Sequence, residues 1–238
     1  MKNRSVNFAK AETENAIKTG VENLFNYLNM KKLFTIISAL LLAVTAKAQT
    51  GVEAAFYSAP DDVITYAPKT LRMDMVDYFK SGSSRLVQNA FFDGSRILEL
   101  TDESITIQET ADSASIAQIF VEAKSKNDSI IILIRNIATP AIDGRITFYD
   151  SKWNVITGCF KEPTLKEWLV SNKKEDVALA ERLIPFVMAK YVYDAENKIL
   201  TLTPSFDAYM PEADYNKVAH LIRPEICFRL TGSKMKKC

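Results

Sequence analysis

The stretch at residues 129–137, SIIILIRNI, constrains the fold more than any other part of this sequence. Residues 130–134 are all apolar, so an extended strand would present apolar side chains on both of its faces. A strand of this kind is stable only when other elements cover it on both sides. We therefore predict a central strand that lies between two layers of the protein.

The segments around this strand alternate between apolar and polar residues and break at Gly, Asp or Asn, which is typical of strands joined by short turns. They read RLVQNAFF, SRILELT, SITIQE, SIAQIFVEA and RITFYD, and later PFVMAKYVYDAENKILTLTPSF and EICFRLT. Helical spacing occurs in LRMDMVDYFK, TLKEWLV and PEADYNKVAHLI, whereas SNKKED is typical of a solvated connector. This order predicts an α+β fold: an antiparallel meander sheet with N-terminal helices and short C-terminal helices.

Residues 30–48, MKKLFTIISALLLAVTAKA, have the three parts of a secretory signal peptide in the right order. Two lysines form a positive n-region, an apolar run follows, and Ala-x-Ala ends the segment. Cleavage after Ala48 would leave Gln49 as the mature N-terminus. The apolar run is shorter than the roughly 20 residues that a membrane-spanning helix needs. We predict a periplasmic or secreted protein with no membrane span after cleavage.

The signal peptide begins at Met30, so residues 1–29 need an explanation. They mix three glutamates with their lysines, unlike a compact basic n-region. Either translation starts at Met30, which we favour, or the n-region is unusually long. Residues 49–238 then form the mature chain, whose length predicts a single domain with a basic tail from about residue 232.

Removal of the signal segment changes the sign of the net charge. Residues 1–48 hold seven of the 30 Lys and Arg and three of the 29 Asp and Glu. The remaining 23 basic and 26 acidic residues change the formal charge from +1 to −3. Nucleic-acid binding usually needs a basic bias, so we expect no nucleic-acid partner.

All three cysteines, Cys159, Cys227 and Cys238, follow the predicted cleavage site, where disulfides are chemically permitted. Alternation in EICFRLT places Cys227 on the polar face of its strand, where it is accessible. A Cys159–Cys227 disulfide and a pair of free thiols are the two alternatives. Cys238 ends the basic tail GSKMKKC, and we interpret it as a loose end.

The most distinctive stretch is RNIATPAIDGRITFYDSKW, which begins at the end of the central strand. Arg135 shares a face with apolar residues, so its charge needs a carboxylate, and Asp143 is the nearest downstream candidate. One hypothesis is a structural ion pair between these two side chains. The other is a ligand groove with a rim formed by Arg135, Asp143, Arg145, Tyr149 and Trp153.

Motifs that define a reaction are missing from the sequence. It has no G-x-S-x-G, H-E-x-x-H, P-loop or G-x-G-x-x-G pattern, and no cysteine pair has zinc-ligand spacing. His220 is the only histidine, and its helical context favours a structural or surface role. We therefore expect no cofactor and no metal site, and we favour a protein that is not an enzyme.

The order of RMDMVDYF, NAFFDGSRILELTDESITIQ, ATPAIDGRITFYDSKWNVI and EPTLKEWL resembles a family of exported proteins of Gram-negative bacteria, domain of unknown function 3256. The resemblance covers most of the mature chain and implies export and a shared fold, but no mechanism. Together these observations predict a protein that binds or scaffolds an envelope protein or glycan without turnover. The alternative is a hydrolase that acts on an envelope polymer or nutrient through acidic residues.

Overall fold

A computed structural model describes residues 51–125, 128–138 and 140–238. The predicted signal peptide, its cleavage site between Ala48 and Gln49, and the upstream residues 1–29 lie outside these residues. Within the described part of the chain, no helix is both long enough and apolar enough to cross a membrane.

Six strands form the larger of two antiparallel sheets, and they are neighbours in the order in which they follow each other along the chain. This arrangement confirms the predicted α+β fold and its antiparallel meander. The strands are β1 (Val87–Gln88), β2 (Gly94–Leu100), β3 (Ser104–Gln108), β4 (Ser115–Ser125), β5 (Asp128–Ala138) and β6 (Ile142–Asp150).

The remaining four strands separate from this sheet and form a smaller one, which is also a meander. Its order is β10-β9-β8-β7, so β7 and β10 are its edge strands. These strands are β7 (Ala189–Asp194), β8 (Ile199–Pro204), β9 (Ile226–Thr231) and β10 (Lys234–Lys237).

Strand β5 is covered on both faces, as its apolar sequence predicts. Ile130, Ile132 and Ile134 point into a core that the larger sheet shares with the smaller one. Ile131 and Leu133 point the other way, into a core built with the N-terminal helices. The two faces of this one strand therefore hold the layers together.

Five α-helices lie in the described chain. α1 and α2 precede the sheets, and α3 to α5 lie between β6 and β9. Two helices differ from the sequence-based prediction. The first helix was expected after Ser58, but α1 ends there and turns follow it. The first residues of α4 were assigned to a solvated connector, but its acidic first turn and the apolar residues that follow support a helix. The helices are α1 (Gly51–Ser58), α2 (Lys69–Lys80), α3 (Leu165–Trp168), α4 (Lys174–Leu183) and α5 (Glu212–Val218).

Arg72 joins the two N-terminal helices from a fully buried position on α2. Its guanidinium donates hydrogen bonds to the carbonyl oxygens of Ala67, Phe56 and Ala59 and pairs with Asp61 at 2.5 Å. Burial lowers the pKa of Arg72, and the charge of Asp61 opposes that effect. The N-terminal layer is thus fixed by backbone acceptors that no sequence motif reveals.

The disulfide joins Cys227 to Cys238, not Cys227 to Cys159. Strand β10 pairs with β9 and brings Cys238 within a Cα–Cα distance of 5.5 Å from Cys227, which suits a disulfide. Cys159 is a buried free thiol in the core, on the other side of the smaller sheet from the exposed face of β9. The C-terminal tail is therefore a disulfide-linked edge strand, and its interpretation as a loose end was wrong.

Candidate functional site: a cleft between the two sheets

A cleft of about 390 Å³ opens where the edge strand β7 lies against the larger sheet. Strands β4, β5 and β6 and the turn before β4 supply one side, and β7 supplies the other. The lining residues are Ser113, Ala114, Ile116, Gln118, Asn136, Ala138, Ile142, Lys190, Tyr191 and Val192.

The side chain of Asn136 connects the two sides of this cleft. Its amide nitrogen donates to the carbonyl oxygen of Tyr191, and its amide oxygen accepts from the Tyr191 N–H, both at 2.9 Å. The carboxamide thus makes the pair of hydrogen bonds that a neighbouring strand would make to an edge strand. One side chain of β5 satisfies the exposed edge of β7 and fixes its position over the larger sheet.

Gly144 on β6 allows β7 to approach this closely. A Cβ atom at this position would lie 2.4 Å from Cδ1 of Tyr191 and 2.8 Å from the carbonyl oxygen of Ala189. Both distances are far below van der Waals contact, so only glycine fits without movement of β7. A glycine inside an otherwise regular strand is the one sequence signal that could have indicated this contact.

The cleft is mostly apolar and contains one charged side chain. Ile116, Ala138 and Ile142 supply apolar surface, and Lys190 is the only charged residue among those that line it. Lys190 is exposed and has no ion-pair partner among the described residues. The arrangement suits a ligand with an apolar body and one anionic group.

The predicted ion pair between Arg135 and Asp143 is wrong, because Arg135 pairs with Glu109. Nε of Arg135 donates to Oε2 of Glu109 and Nη2 donates to Oε1, each at 2.8 Å, which is a bidentate pair. Nη2 also donates to the carbonyl oxygen of Val63, and the Ser115 hydroxyl donates to Glu109. Asp143 instead pairs with Arg145 at 3.3 Å on the surface.

Glu109 is almost completely buried, with 1% of its side chain exposed, whereas Arg135 keeps 25%. Burial acts to lower the pKa of Arg135, but the hydrogen bonds and charge of Glu109 outweigh it and raise that pKa above its ordinary value. The Arg135 guanidinium therefore stays charged, and the pair connects the ends of β3 and β5 to the segment between α1 and α2.

Tyr149 and Trp153 are core residues and do not line an open groove. They are 7% and 6% exposed, with ring centroids 5.0 Å apart. The Trp153 indole N–H donates to the carbonyl oxygen of Ala55 on α1 at 3.1 Å. The aromatic pair thus joins the turn after β6 to the N-terminal helices.

Arg145 and Asp143 lie on the surface, where Arg145 also pairs with Glu162 at 3.0 Å. The cavity beside them has a volume of only about 40 Å³, enough for about one water molecule. The five residues predicted as a rim are thus divided between the helix-facing core and the surface. The open cleft involves none of them.

A second cavity, of about 470 Å³, is lined by three carboxylates, Glu103, Glu122 and Glu196, together with Lys198. Glu122 is bound on both oxygens: the Tyr193 hydroxyl donates to Oε1 at 2.7 Å, and Lys198 pairs with Oε2 at 3.0 Å. Burial and this hydrogen bond to Glu122 both raise the pKa of Tyr193. Glu122 is held as an ion-pair acceptor, not positioned as a free acid or base.

The described residues contain no group of three or more His, Cys, Asp or Glu side chains placed to hold a metal ion. His220, at the C-terminal side of α5, is exposed and lines neither of the two large cavities. No sequence pattern marks the cleft, because its residues come from four separate segments, none of which has a motif.

Comparison with solved structures shows that this fold is shared. A domain of an uncharacterized protein from Porphyromonas gingivalis W83 superposes with a TM-score of 0.68 at 16% sequence identity, covering 79% of this chain and 100% of that domain. At this identity the likeness concerns the fold alone. No curated protein matches the sequence. A family model does match residues 43–235, and the chain therefore belongs to the protein family of unknown function DUF3256.

Proposed function

We propose that this chain is an exported binding protein that holds its ligand in the cleft between the two sheets without chemical turnover. The observation that carries the proposal is the composition of the cleft: an apolar surface with Lys190 as its one charged side chain. General acid–base catalysis needs groups that exchange protons with the substrate, most often His, and also Asp, Glu, Lys or Tyr. Of these the cleft lining holds Lys190 and Tyr191, and Tyr191 is buried, which raises its pKa.

The size of the cleft supports a small ligand. Pockets for small molecules usually have volumes of about 300–1,000 Å³ and combine apolar walls with a few fixed polar groups. The cleft lies in this range, Asn136 is fixed by Tyr191, and Gln118 is anchored through a hydrogen bond to the Thr106 hydroxyl at 3.2 Å. Lys190 would pair with an anionic group on the ligand.

A hydrolase that uses acidic residues remains the alternative, and the carboxylate-lined cavity is the observation in its favour. Its central carboxylate, Glu122, already accepts from Tyr193 and Lys198. Release of either oxygen for chemistry would break a contact that stabilises the fold. The cavity is therefore the weaker candidate site.

The binding proposal can be tested with 1-anilinonaphthalene-8-sulfonate, an apolar aromatic molecule with one sulfonate. We expect one binding site per folded chain, with a dissociation constant on the order of 10 μM. Ala138→Trp should weaken binding at least tenfold because the indole would occupy the cleft. Lys190→Gln should weaken it less, because only the charge contact is lost.

The matched control is Ala54→Trp, which places the same side chain at an exposed position of α1. This helix packs on the opposite face of the larger sheet, away from the cleft. Near-UV circular dichroism would establish that each variant is folded. Equal affinity in Ala138→Trp and Ala54→Trp would show that the dye binds elsewhere, and the proposal would then be wrong.

Two observations support export, which we propose as the setting of this function. Residues 30–48 have the order of a signal peptide, and Cys227 pairs with Cys238, as is typical of oxidising compartments. We expect that the protein recovered from the periplasm or medium of its host starts at Gln49. N-terminal sequencing checks this, and a stable chain that retains Met30 or Met1 would contradict it.

A further inference from the structure

We infer that the outer face of the smaller sheet docks an anionic polysaccharide, independently of the cleft ligand. The smaller sheet has one buried face and one face in solvent. Along β7 and β9, residues alternate between buried and accessible positions, and the buried ones point into the core shared with the larger sheet. The other side of the sheet is open.

Cations are concentrated on this outer face. Arg229, Lys234 and Lys236 lie on the neighbouring strands β9 and β10, away from the cleft at β7. All three are exposed. The only carboxylate at an outward strand position is Asp194, which accepts hydrogen bonds from Asn197 in the β7–β8 turn.

The cations on β9 and β10 are not neutralised within the described part of the chain. Arg229 and Lys236 are direct cross-strand partners, an arrangement of like charges that destabilises a sheet. Arg229 donates only to the carbonyl oxygen of Asn197, and no ion pair involves Lys234 or Lys236. A bound anion would remove this repulsion.

The concentration of charge is local. Outside residues 1–48 the chain has 23 basic and 26 acidic residues, so its net charge is negative. Residues 49–238 as a whole carry a negative net charge, but this face is cation-rich. Anions should therefore be attracted to this face and not to the rest of the surface.

The other side chains of the face favour a polysaccharide over a single-stranded nucleic acid or a membrane. None of the outward positions of the four strands holds an aromatic residue, which single-stranded nucleic acids need for base stacking. Val192 is the one exposed large apolar side chain there, too little for insertion into a lipid surface. Thr203 and Thr231 are exposed and offer hydroxyl groups beside the cations, which suits a polymer rich in hydroxyl and acidic groups.

The Cys227–Cys238 disulfide positions part of this face. It fixes the end of β10 to β9, and the Cys238 N–H also donates to the carbonyl oxygen of Cys227 at 3.1 Å. An edge strand of four residues that carries three lysines has little apolar area of its own to hold it in place. The disulfide therefore keeps Lys234 and Lys236 beside Arg229.

The test uses heparin and polygalacturonate as sulfated and carboxylated probes, dextran as the uncharged one, and the mature chain. We expect both anionic polymers to bind and dextran not to bind. Affinity should fall with salt concentration, with a log–log slope set by the number of cations in contact, close to one for each. The variant Arg229→Gln/Lys234→Gln/Lys236→Gln should bind at least tenfold more weakly and have a slope smaller by about three.

The matched control is Lys173→Gln/Lys174→Gln/Arg182→Gln, which removes the same charge from the exposed surface of α4 and its N-terminus. It should keep the affinity of the parent protein. Equal losses in both triple variants would mean that only net charge matters, which would overturn the proposal. Tighter binding to single-stranded DNA or to anionic vesicles than to either polymer would also overturn it.

Cys238→Ser separates the disulfide from the charges. It should weaken polymer binding while all three cations remain, and unchanged affinity would refute the positioning role of the disulfide. Ala138→Trp, which blocks the cleft, should bind heparin as the parent does. Failure of the polysaccharide inference and failure of the cleft proposal would thus give different results.

Discussion

Replacing Glu109 by alanine should lower the free energy of unfolding by about 3–5 kcal/mol, since it removes one partner of a buried, bidentate ion pair. The substitution leaves Arg135 with its charge and with the carbonyl oxygen of Val63 as the remaining acceptor. It also removes the acceptor of the Ser115 hydroxyl. Urea denaturation followed by circular dichroism measures the effect.

Asp143→Ala is the control, because it removes a carboxylate from an exposed pair with Arg145. Exposed pairs contribute little, so the expected loss is below about 1 kcal/mol. The double variant Glu109→Ala/Arg135→Met should recover part of the stability lost in Glu109→Ala, because no unpaired charge is left. If Asp143→Ala lowered stability more than Glu109→Ala, Glu109 would not be the partner that stabilises Arg135.

For Arg135, the sequence predicted the need for an ion pair but not its partner. Periodicity placed Arg135 on the correct face of β5 and indicated that it needs a carboxylate. The nearest carboxylate along the chain was the wrong one, because the partner depends on strand register. Ile107, Ala117 and Arg135 lie in one cross-strand row, and Glu109, two residues after Ile107, lies on the same face in the next row.

The division into two sheets also lies beyond local pattern. Each strand of the smaller sheet was visible as an alternating segment, and its hairpins pair locally, as predicted. Nothing in these segments says that β7 packs on the face of the larger sheet and does not extend it. That choice rests on Asn136 and Gly144, two residues whose roles depend on a strand some 45 to 55 positions away.

The basic tail was misread for a related reason. Lysines near a C-terminus are typical of a solvated tail, but they are equally typical of an edge strand that must not pair with another chain. The pairing of β10 with β9 shows that these lysines belong to an edge strand. Net charge gave a similarly incomplete prediction, because a sum over the chain does not show which cations share a face.

Gly144→Ala should be as damaging as Glu109→Ala, with an expected loss of about 3 kcal/mol in the free energy of unfolding, at the upper end of the cost of overpacking. The added Cβ meets the Tyr191 ring and the backbone oxygen of Ala189. The ring could rotate, but the backbone oxygen can move only with β7. A shift of β7 would break the two hydrogen bonds between Asn136 and Tyr191 and alter the cleft.

The control is Gly51→Ala, where the new Cβ would have one ordinary contact, 3.8 Å from Cγ1 of Val121. Alanine favours a helix over glycine, so stability should stay unchanged or rise by up to about 1 kcal/mol. The cost of Gly144→Ala measured in a Tyr191→Ala background separates the two clashes, since Tyr191→Ala alone is itself destabilising. Without the ring that cost should be smaller but not zero, because the clash with the Ala189 oxygen remains. A zero cost in that background would mean that the ring alone requires glycine at this position, and that the backbone of β7 has room to move away from β6.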